Sequence, residues 1–261
     1  MAGYRLAPNI ELLFAEAGDD PVERVRAAAA AGFDAVEIWT TLDKNIDALA
    51  AELLRSGISL TSVLAEPRTS FAFPGTDLGP FFGGLARGIE NARALGCPRI
   101  VLGSGIGFPG KNRAANLDDL VAVFSDAVER SRGSGVTLDL EPVNTRVDHP
   151  GALLDRTADA VAVVRRVDDP SFRLLYDLYH SVSEGEDPSA ELVDAADVID
   201  YVQIADFPGR GEPGTGTIDW TASLELLRSV GYGGPIGLEL KPSRATPAAL
   251  QLIRTIAAEV G

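Results

Sequence analysis

Short apolar runs alternate with longer amphipathic stretches along the whole chain. The runs predict eight strands, at residues 5–10, 35–39, 59–64, 99–103, 136–141, 173–177, 201–206 and 236–240. Between them, spaced alanines and leucines predict helices with one buried face, as in 21–32 and 117–135. Gly32, Gly57, Gly96, Gly135 and Gly231 stand where such helices should end. Glycine there accepts the left-handed conformation that closes a helix. Eight strand-then-helix units point to a closed parallel (β/α)8 TIM barrel, which typically needs about 250 residues. The chain has 261, with no interdomain linker, charge block or low-complexity tract, so one domain over 1–261 is expected. No G-x-G-x-x-G follows the first strand, which argues against a dinucleotide fold.

Four oxygen-bearing side chains break the apolar pattern at the ends of the last four strands. They are Glu141, Asp177, Gln203 and Glu239, spaced by 36, 26 and 36 residues. That is about one strand-plus-helix unit each, so a barrel would gather them at its C-terminal mouth, where such folds carry their chemistry. Burying several carboxylates is costly unless something pairs with them. A hard divalent cation would do so, and an all-oxygen donor set favours Mg²⁺ or Mn²⁺. The competing reading is four separate ion-paired residues. Glu141 and Glu239 could flank a substrate carbon, one taking a proton beside a carbonyl and the other returning it.

Other polar residues extend the candidate pocket. His180, three residues after Asp177, is expected to contact a substrate hydroxyl or carbonyl oxygen. His149 is placed near the site or as a residue ordering its loop. Arg210 is the one cation in the glycine- and proline-rich loop 206–220, and guanidinium suits a carboxylate or paired hydroxyls. Glu212 would orient Arg210 or pair with another loop. Glu37 is a candidate substrate contact or a partner of a neighbouring side chain. Lys241 is a weaker candidate for anion binding. No G-x-S-x-G elbow supports a serine nucleophile.

Charge and cysteine content narrow the function classes. The formal net charge is −15, which disfavours nucleic acid and anionic membrane surfaces as partners. Any anionic small molecule would then need a local arginine, lysine or metal. The single cysteine, Cys97, forbids an internal disulfide and fits a reducing, cytoplasmic setting. The N-terminal residues lack a secretory pattern, and no apolar stretch is long enough to span a bilayer. A homo-oligomer is open, with no surface stripe marking an interface.

Taken together, LEPVNTRVDHPG, YDLYH, QIADFPGRGEPGTGTIDW and IGLELKP resemble the hydroxypyruvate isomerase family of xylose isomerase-like barrels. The resemblance is close over 136–242 and looser elsewhere. It implies a divalent metal at Glu141, Asp177, Gln203 and Glu239. It also implies Glu141 and Glu239 as the acid/base pair, with His180 and Arg210 on the substrate. Related ketose 3-epimerases generally carry histidine at the position of Gln203. The segment LAEPRTSFAFPG departs from the family's usual loop after the third strand, and so does the VLGSG strand end. The expected reaction is isomerisation of hydroxypyruvate to tartronate semialdehyde through a cis-enediolate. Isomerisation of a 2-oxo-tetronate and 3-epimerisation of a ketose are the alternatives. Outside that class stand a non-catalytic metal-binding barrel and an endonuclease-like barrel. Only two histidines and the −15 charge weigh against the latter.

Overall fold

The computed structural model describes residues 3–260; Met1, Ala2 and Gly261, the ends of the expected domain, lie outside them. Nine strand segments are present: β1 (Leu6–Pro8), β2 (Ala35–Val36), β3 (Ser59–Leu60), β4 (Val63–Leu64), β5 (Arg99–Gly103), β6 (Thr137–Glu141), β7 (Phe172–Asp177), β8 (Ile199–Ile204) and β9 (Ile236–Leu238). All pairings between them are parallel. Seven strands run in the order β1-β9-β8-β7-β6-β5-β4, and β2 pairs with β3. A bridge between Asn9 and Glu37 joins β1 to β2. The segments β3 and β4 are two halves of one barrel strand, parted at Thr61–Ser62. Around the ring there are therefore eight strands, as expected for a TIM barrel.

The second strand is shorter than the expected 35–39. Beyond Val36 its groups still bond outward, with Glu37 N–H to the Pro8 carbonyl at 3.0 Å and Ile38 N–H to the Ser62 carbonyl at 3.3 Å. Backbone pairing thus alternates between two neighbours rather than forming one regular ladder. This loosened corner lies at the C-terminal mouth.

Helix starts follow their capping residues. Asp20 caps Pro21–Ala30 by accepting from Val22 N–H, and Asn112 caps Arg113–Ser131 by accepting from Ala115 N–H. The five glycines expected at helix ends all have positive φ, between 65° and 83°.

Alternation along each strand separates two packing surfaces. Ile100, Leu102, Leu138, Leu140, Leu174, Val202 and Leu238 face outward into the large sheet–helix core. Val101, Leu175 and Tyr201 form a separate cluster with Leu64 in the barrel interior. Two residues further along the last two of those strands, on the same inward face, come Asp177 and Gln203. The mouth therefore rests on a packed floor.

Candidate active site

Asp177 ends β7 and caps the helix Leu178–Glu184. Its Oδ1 accepts from Tyr179 N–H at 2.8 Å and His180 N–H at 3.4 Å, leaving Oδ2 for the mouth. In the first turn of that helix, His180 has Nε2 at 3.5 Å from Asp177 Oδ2 and 3.7 Å from Glu141 Oε1. Gln203 lies beside Asp177 in register, and Gly237 lies beside Gln203. Glu239 follows the last residue of β9. Its Oε1 takes Arg210 Nη2 at 2.8 Å and Trp39 Nε1–H at 3.1 Å. Arg210 Nη2 also stands 3.9 Å from Asp177 Oδ2. Glu141, Asp177, Gln203, Glu239, His180 and Arg210 thus converge on one mouth.

The protonation pattern follows from burial and partners. The Asn144 backbone N–H donates to His180 Nδ1 at 3.2 Å, so the neutral ring carries its proton on Nε2. Burial pushes the imidazole pKa down to about 4, keeping it neutral. Burial, then the Asp177 charge, pushes Glu141 up to about 8. Burial also drives Glu239 well above the ordinary carboxylate range, while Arg210 opposes that shift. Such carboxyls suit proton transfer near neutral pH.

The donor set fits a divalent cation. Glu141 and Asp177 each offer a carboxylate oxygen within 4.8 Å of the other. Gln203 supplies an independent sign: its Oε1 is buried without a hydrogen-bond partner. A buried amide oxygen left unpaired costs about 1–3 kcal/mol, which a ligand would recover. Its orientation is dictated from below. Gln203 Nε2 donates to Glu37 Oε1 at 3.0 Å and Oε2 at 3.1 Å. A carboxylate only accepts, so the amide nitrogen must face it and the oxygen must face the mouth. His180, expected in the pocket as a substrate contact, has its Nε2 between the Glu141 and Asp177 carboxylates.

Glu37 takes the second of its two expected roles, as a support for Gln203. It is fully buried in the barrel interior. Besides Gln203 it accepts from Tyr201 Oη–H at 2.7 Å, Asn9 Nδ2 at 3.1 Å and Ser62 Oγ at 3.2 Å. Burial raises its pKa, and these donors pull it back. Gly237 leaves the room for this arrangement, because a Cβ there would sit 2.4 Å from Glu37 Oε2. The Lys241 side chain is exposed, and the residue contributes a backbone N–H to the Arg210 carbonyl at 2.7 Å.

The loop carrying Arg210 is built around Asp206. This fully buried carboxylate accepts from Phe207 N–H (2.9 Å), Gly214 N–H (2.7 Å), Ile218 N–H (3.3 Å) and Trp220 Nε1–H (3.1 Å). Arg210 itself has φ 58°, an unfavourable value for a side-chain-bearing residue, tolerated where surrounding bonds impose it. Its guanidinium lies 5.2 Å from the Tyr179 ring centre. Glu212 pairs with another loop: it binds Ser243 N–H at 2.9 Å and Arg244 Nε at 3.1 Å. Those donors overcome burial and hold its pKa down to about 2. His149 is half-buried with its ring centre 5.3 Å from that of His180, so it does adjoin the site.

Trp39, Asn144, Tyr201, Gly237 and Asp206 were not among the expected site residues. Period-two spacing was the available signal for two of them: Trp39 follows Glu37 by two positions, and Gly237 precedes Glu239 by two. A larger cavity of about 250 Å³ lies at the opposite end of the barrel, beside Arg99, Asp200 and Tyr232. Arg99 is committed there to Asp200 at 2.5 Å. Among the described residues no acid–base set like that of the C-terminal mouth lines it.

Comparison with known proteins shows the family. The family description "Xylose isomerase-like TIM barrel" matches residues 25–256. A hydroxypyruvate isomerase from Escherichia coli K12 is 30% identical over 257 residues, covering 95% of this chain and 97% of that protein. A 2-oxo-tetronate isomerase from Cupriavidus necator is 30% identical over 253 residues, covering 94% and 96%. Among solved structures, one described as an AP endonuclease, family 2, from Brucella melitensis superposes with TM-score 0.88 at 30% identity, covering 97% of this chain and 98% of that one. The chain belongs to the xylose isomerase-like TIM barrel family and, within it, to the hydroxypyruvate isomerase group of isomerases.

Proposed function

We propose that the protein is a divalent-metal-dependent isomerase of a small α-hydroxycarbonyl acid, converting hydroxypyruvate reversibly to tartronate semialdehyde. The observation that carries this is the pairing of two buried carboxyls of raised pKa with an unpaired, oriented amide oxygen in one mouth. Glu141, Asp177, Gln203 and Glu239 would hold the metal, Mg²⁺ or Mn²⁺ by their oxygen donors. When bound, the cation supplies polarisation of the substrate carbonyl and compensates negative charge on its oxygens.

The chain's own groups perform the proton transfers. One of Glu141 and Glu239 takes a proton from C3 of hydroxypyruvate. The electron pair left behind forms the C2–C3 double bond of a cis-enediolate. The other carboxyl returns a proton to C2, the proton on O3 passes to O2, and C3 becomes the aldehyde carbon while C2 becomes the hydroxyl-bearing carbon. His180 Nε2–H donates to a substrate oxygen, since Asn144 occupies Nδ1. Arg210 holds Glu239 in place through its 2.8 Å contact. The buried walls limit water access to the enediolate.

A longer acid, a 2-oxo-tetronate, is the second reading, supported by the activity named for the Cupriavidus necator relative. Ketose 3-epimerisation is disfavoured by glutamine rather than histidine at 203. The −15 charge counts against an endonuclease role. A reducing compartment, the cytoplasm, agrees with Cys97 being free and buried. No helix among the described residues is long and apolar enough to cross a membrane.

The test is proton NMR of hydroxypyruvate in D₂O with metal-loaded protein, beside Glu239→Gln. The expected result is loss of the C3 proton signal and growth of product, both absent in the variant. An unchanged C3 signal with the wild type would remove hydroxypyruvate as the substrate.

A further inference from the structure

We propose that Trp39 is a positioning residue for Glu239: its indole N–H and Arg210 together hold Oε1, so that Oε2 is the oxygen presented to the cation and to the substrate proton. This rests on the role given to Glu239 above and names which of its two oxygens acts. Two donors share one carboxylate oxygen here. Trp39 Nε1–H reaches Glu239 Oε1 at 3.1 Å, and Arg210 Nη2 reaches the same atom at 2.8 Å. Among the described residues no hydrogen bond or ion pair engages Oε2. Indole and guanidinium can only donate, so a proton on Oε1 would compete with both, and Oε2 is the oxygen free to carry it. A cation is likewise disfavoured at the oxygen that already faces a guanidinium.

Arg210 alone would not fix this choice. Its Nη2 also lies 3.9 Å from Asp177 Oδ2, so the guanidinium stands between two carboxylates. Glu239 follows the end of β9, and its long side chain has rotamer freedom that its partners must remove. The indole supplies one donor, in one direction, on a rigid ring with few rotatable bonds.

Trp39 is itself seated at its backbone. Its N–H donates to Glu11 Oε1 at 3.3 Å, an oxygen that Lys44 Nζ grips at 2.7 Å. Its carbonyl accepts from Leu64 N–H at 2.8 Å. The residue is half-buried, so the contact with Glu239 is made with little water around it. Glu37, two positions earlier, orients Gln203 from the same segment. Residues 37 and 39 thus support the oxygen donors of two other strands, Gln203 on β8 and Glu239 after β9. Phenylalanine at 39 would keep an aromatic ring but bring no donor.

The experiment is two-dimensional NMR of the indole N–H groups in isotopically labelled full-length protein, joined to Mg²⁺ calorimetry and hydroxypyruvate kinetics. The chain has two tryptophans, Trp39 and Trp220, and Trp39→Phe assigns their signals. Glu239→Gln should move the Trp39 signal and leave that of Trp220, which is bonded to Asp206. Trp39→Phe should weaken Mg²⁺ by about 10–100-fold, the range for a residue that orients a ligand without being one. At saturating Mg²⁺ it should lower kcat about tenfold, with KM changed less than about twofold. A purely space-filling indole would show instead in urea unfolding, with kcat and Mg²⁺ affinity kept. A Trp39 signal indifferent to Glu239→Gln, an unchanged Mg²⁺ affinity or kcat in Trp39→Phe, or a wild type that binds no Mg²⁺ would each overturn the proposal. The expected NMR shift and Mg²⁺ loss, in a protein whose wild type leaves C3 of hydroxypyruvate unexchanged, would keep the positioning role and reject the reaction.

Discussion

Gly237→Ala tests whether the floor of the site is as tightly determined as its geometry indicates. Gly237 lies on the inward face of β9, beside Gln203 in register. The added methyl would stand 2.4 Å from Glu37 Oε2, 2.8 Å from Gln203 Cγ and 2.8 Å from Tyr201 Oη. None of these can yield cheaply. Glu37 and Tyr201 are fully buried, and Tyr201 Oη is also 2.8 Å from Thr61 Oγ1. Overpacking of this kind costs about 1–3 kcal/mol. Displacing Glu37 would also break a hydrogen bond to a charged group, worth about 1.5–3 kcal/mol. The expected destabilisation is about 3–5 kcal/mol, or a fall in Tm on the order of 10 °C for a chain this long. Because Glu37 orients Gln203, Mn²⁺ affinity should also fall, by about 10–100-fold. Gly83→Ala is the control: it lies in the helix Gly79–Ala94 with nothing within 4 Å of an added Cβ. Urea unfolding and Mn²⁺ calorimetry on both variants measure the two effects. If Gly237→Ala melts within about 2 °C of wild type and binds Mn²⁺ equally well, the reasoning fails.

Two further predictions concern buried carboxylates. Asp139 sits in the barrel interior with neither oxygen hydrogen-bonded and Arg99 Nε 3.8 Å from Oδ2; burial, then Asp200, pushes its pKa up to about 8 from an ordinary 3.8, against Arg99. The folded state therefore holds this proton where the unfolded chain has lost it, so stability should fall as pH rises through that window. Asp139→Asn should remove the dependence, and its Tm advantage over wild type in thermal melts should be larger at about pH 9 than at about pH 5. Asp206→Ala leaves three backbone N–H groups and the Trp220 indole N–H without their acceptor. A loss of about 3–5 kcal/mol is expected, with faster hydrogen exchange confined to 206–220 and reduced kcat/KM through Arg210. Unaltered exchange in that loop would count against Asp206 as its organiser.

Eight strand positions, the helix-ending glycines and the convergence of Glu141, Asp177, Gln203 and Glu239 were legible in the chain because each follows a short period. Strand alternation repeats every two residues, and a barrel unit repeats over a few tens of residues, so a polar residue ending an apolar run has a foreseeable place. For the same reason Glu37 could be read two ways. It ends an apolar run like the others, yet it sits lower in the barrel, where Tyr201, Asn9, Ser62 and Gln203 surround it. Lys241 had no foreseeable direction, because two-residue alternation stops with the strand, and β9 ends at Leu238.

By itself, the sequence determined the barrel class and the gathering of oxygen-bearing side chains at one mouth, since these depend on local periodicity and residue type. Tertiary structure alone decided which way the Gln203 amide faces, that His180 is neutral with its proton on Nε2, and that Arg210 belongs first to Glu239. It also decided that Gly237 must stay small. Those outcomes depend on contacts between residues distant in the chain, such as Trp39 with Glu239 and Glu37 with Gln203. A one-dimensional pattern carries no distance between such residues, and hydrogen bonding and desolvation act only once folding has set that distance.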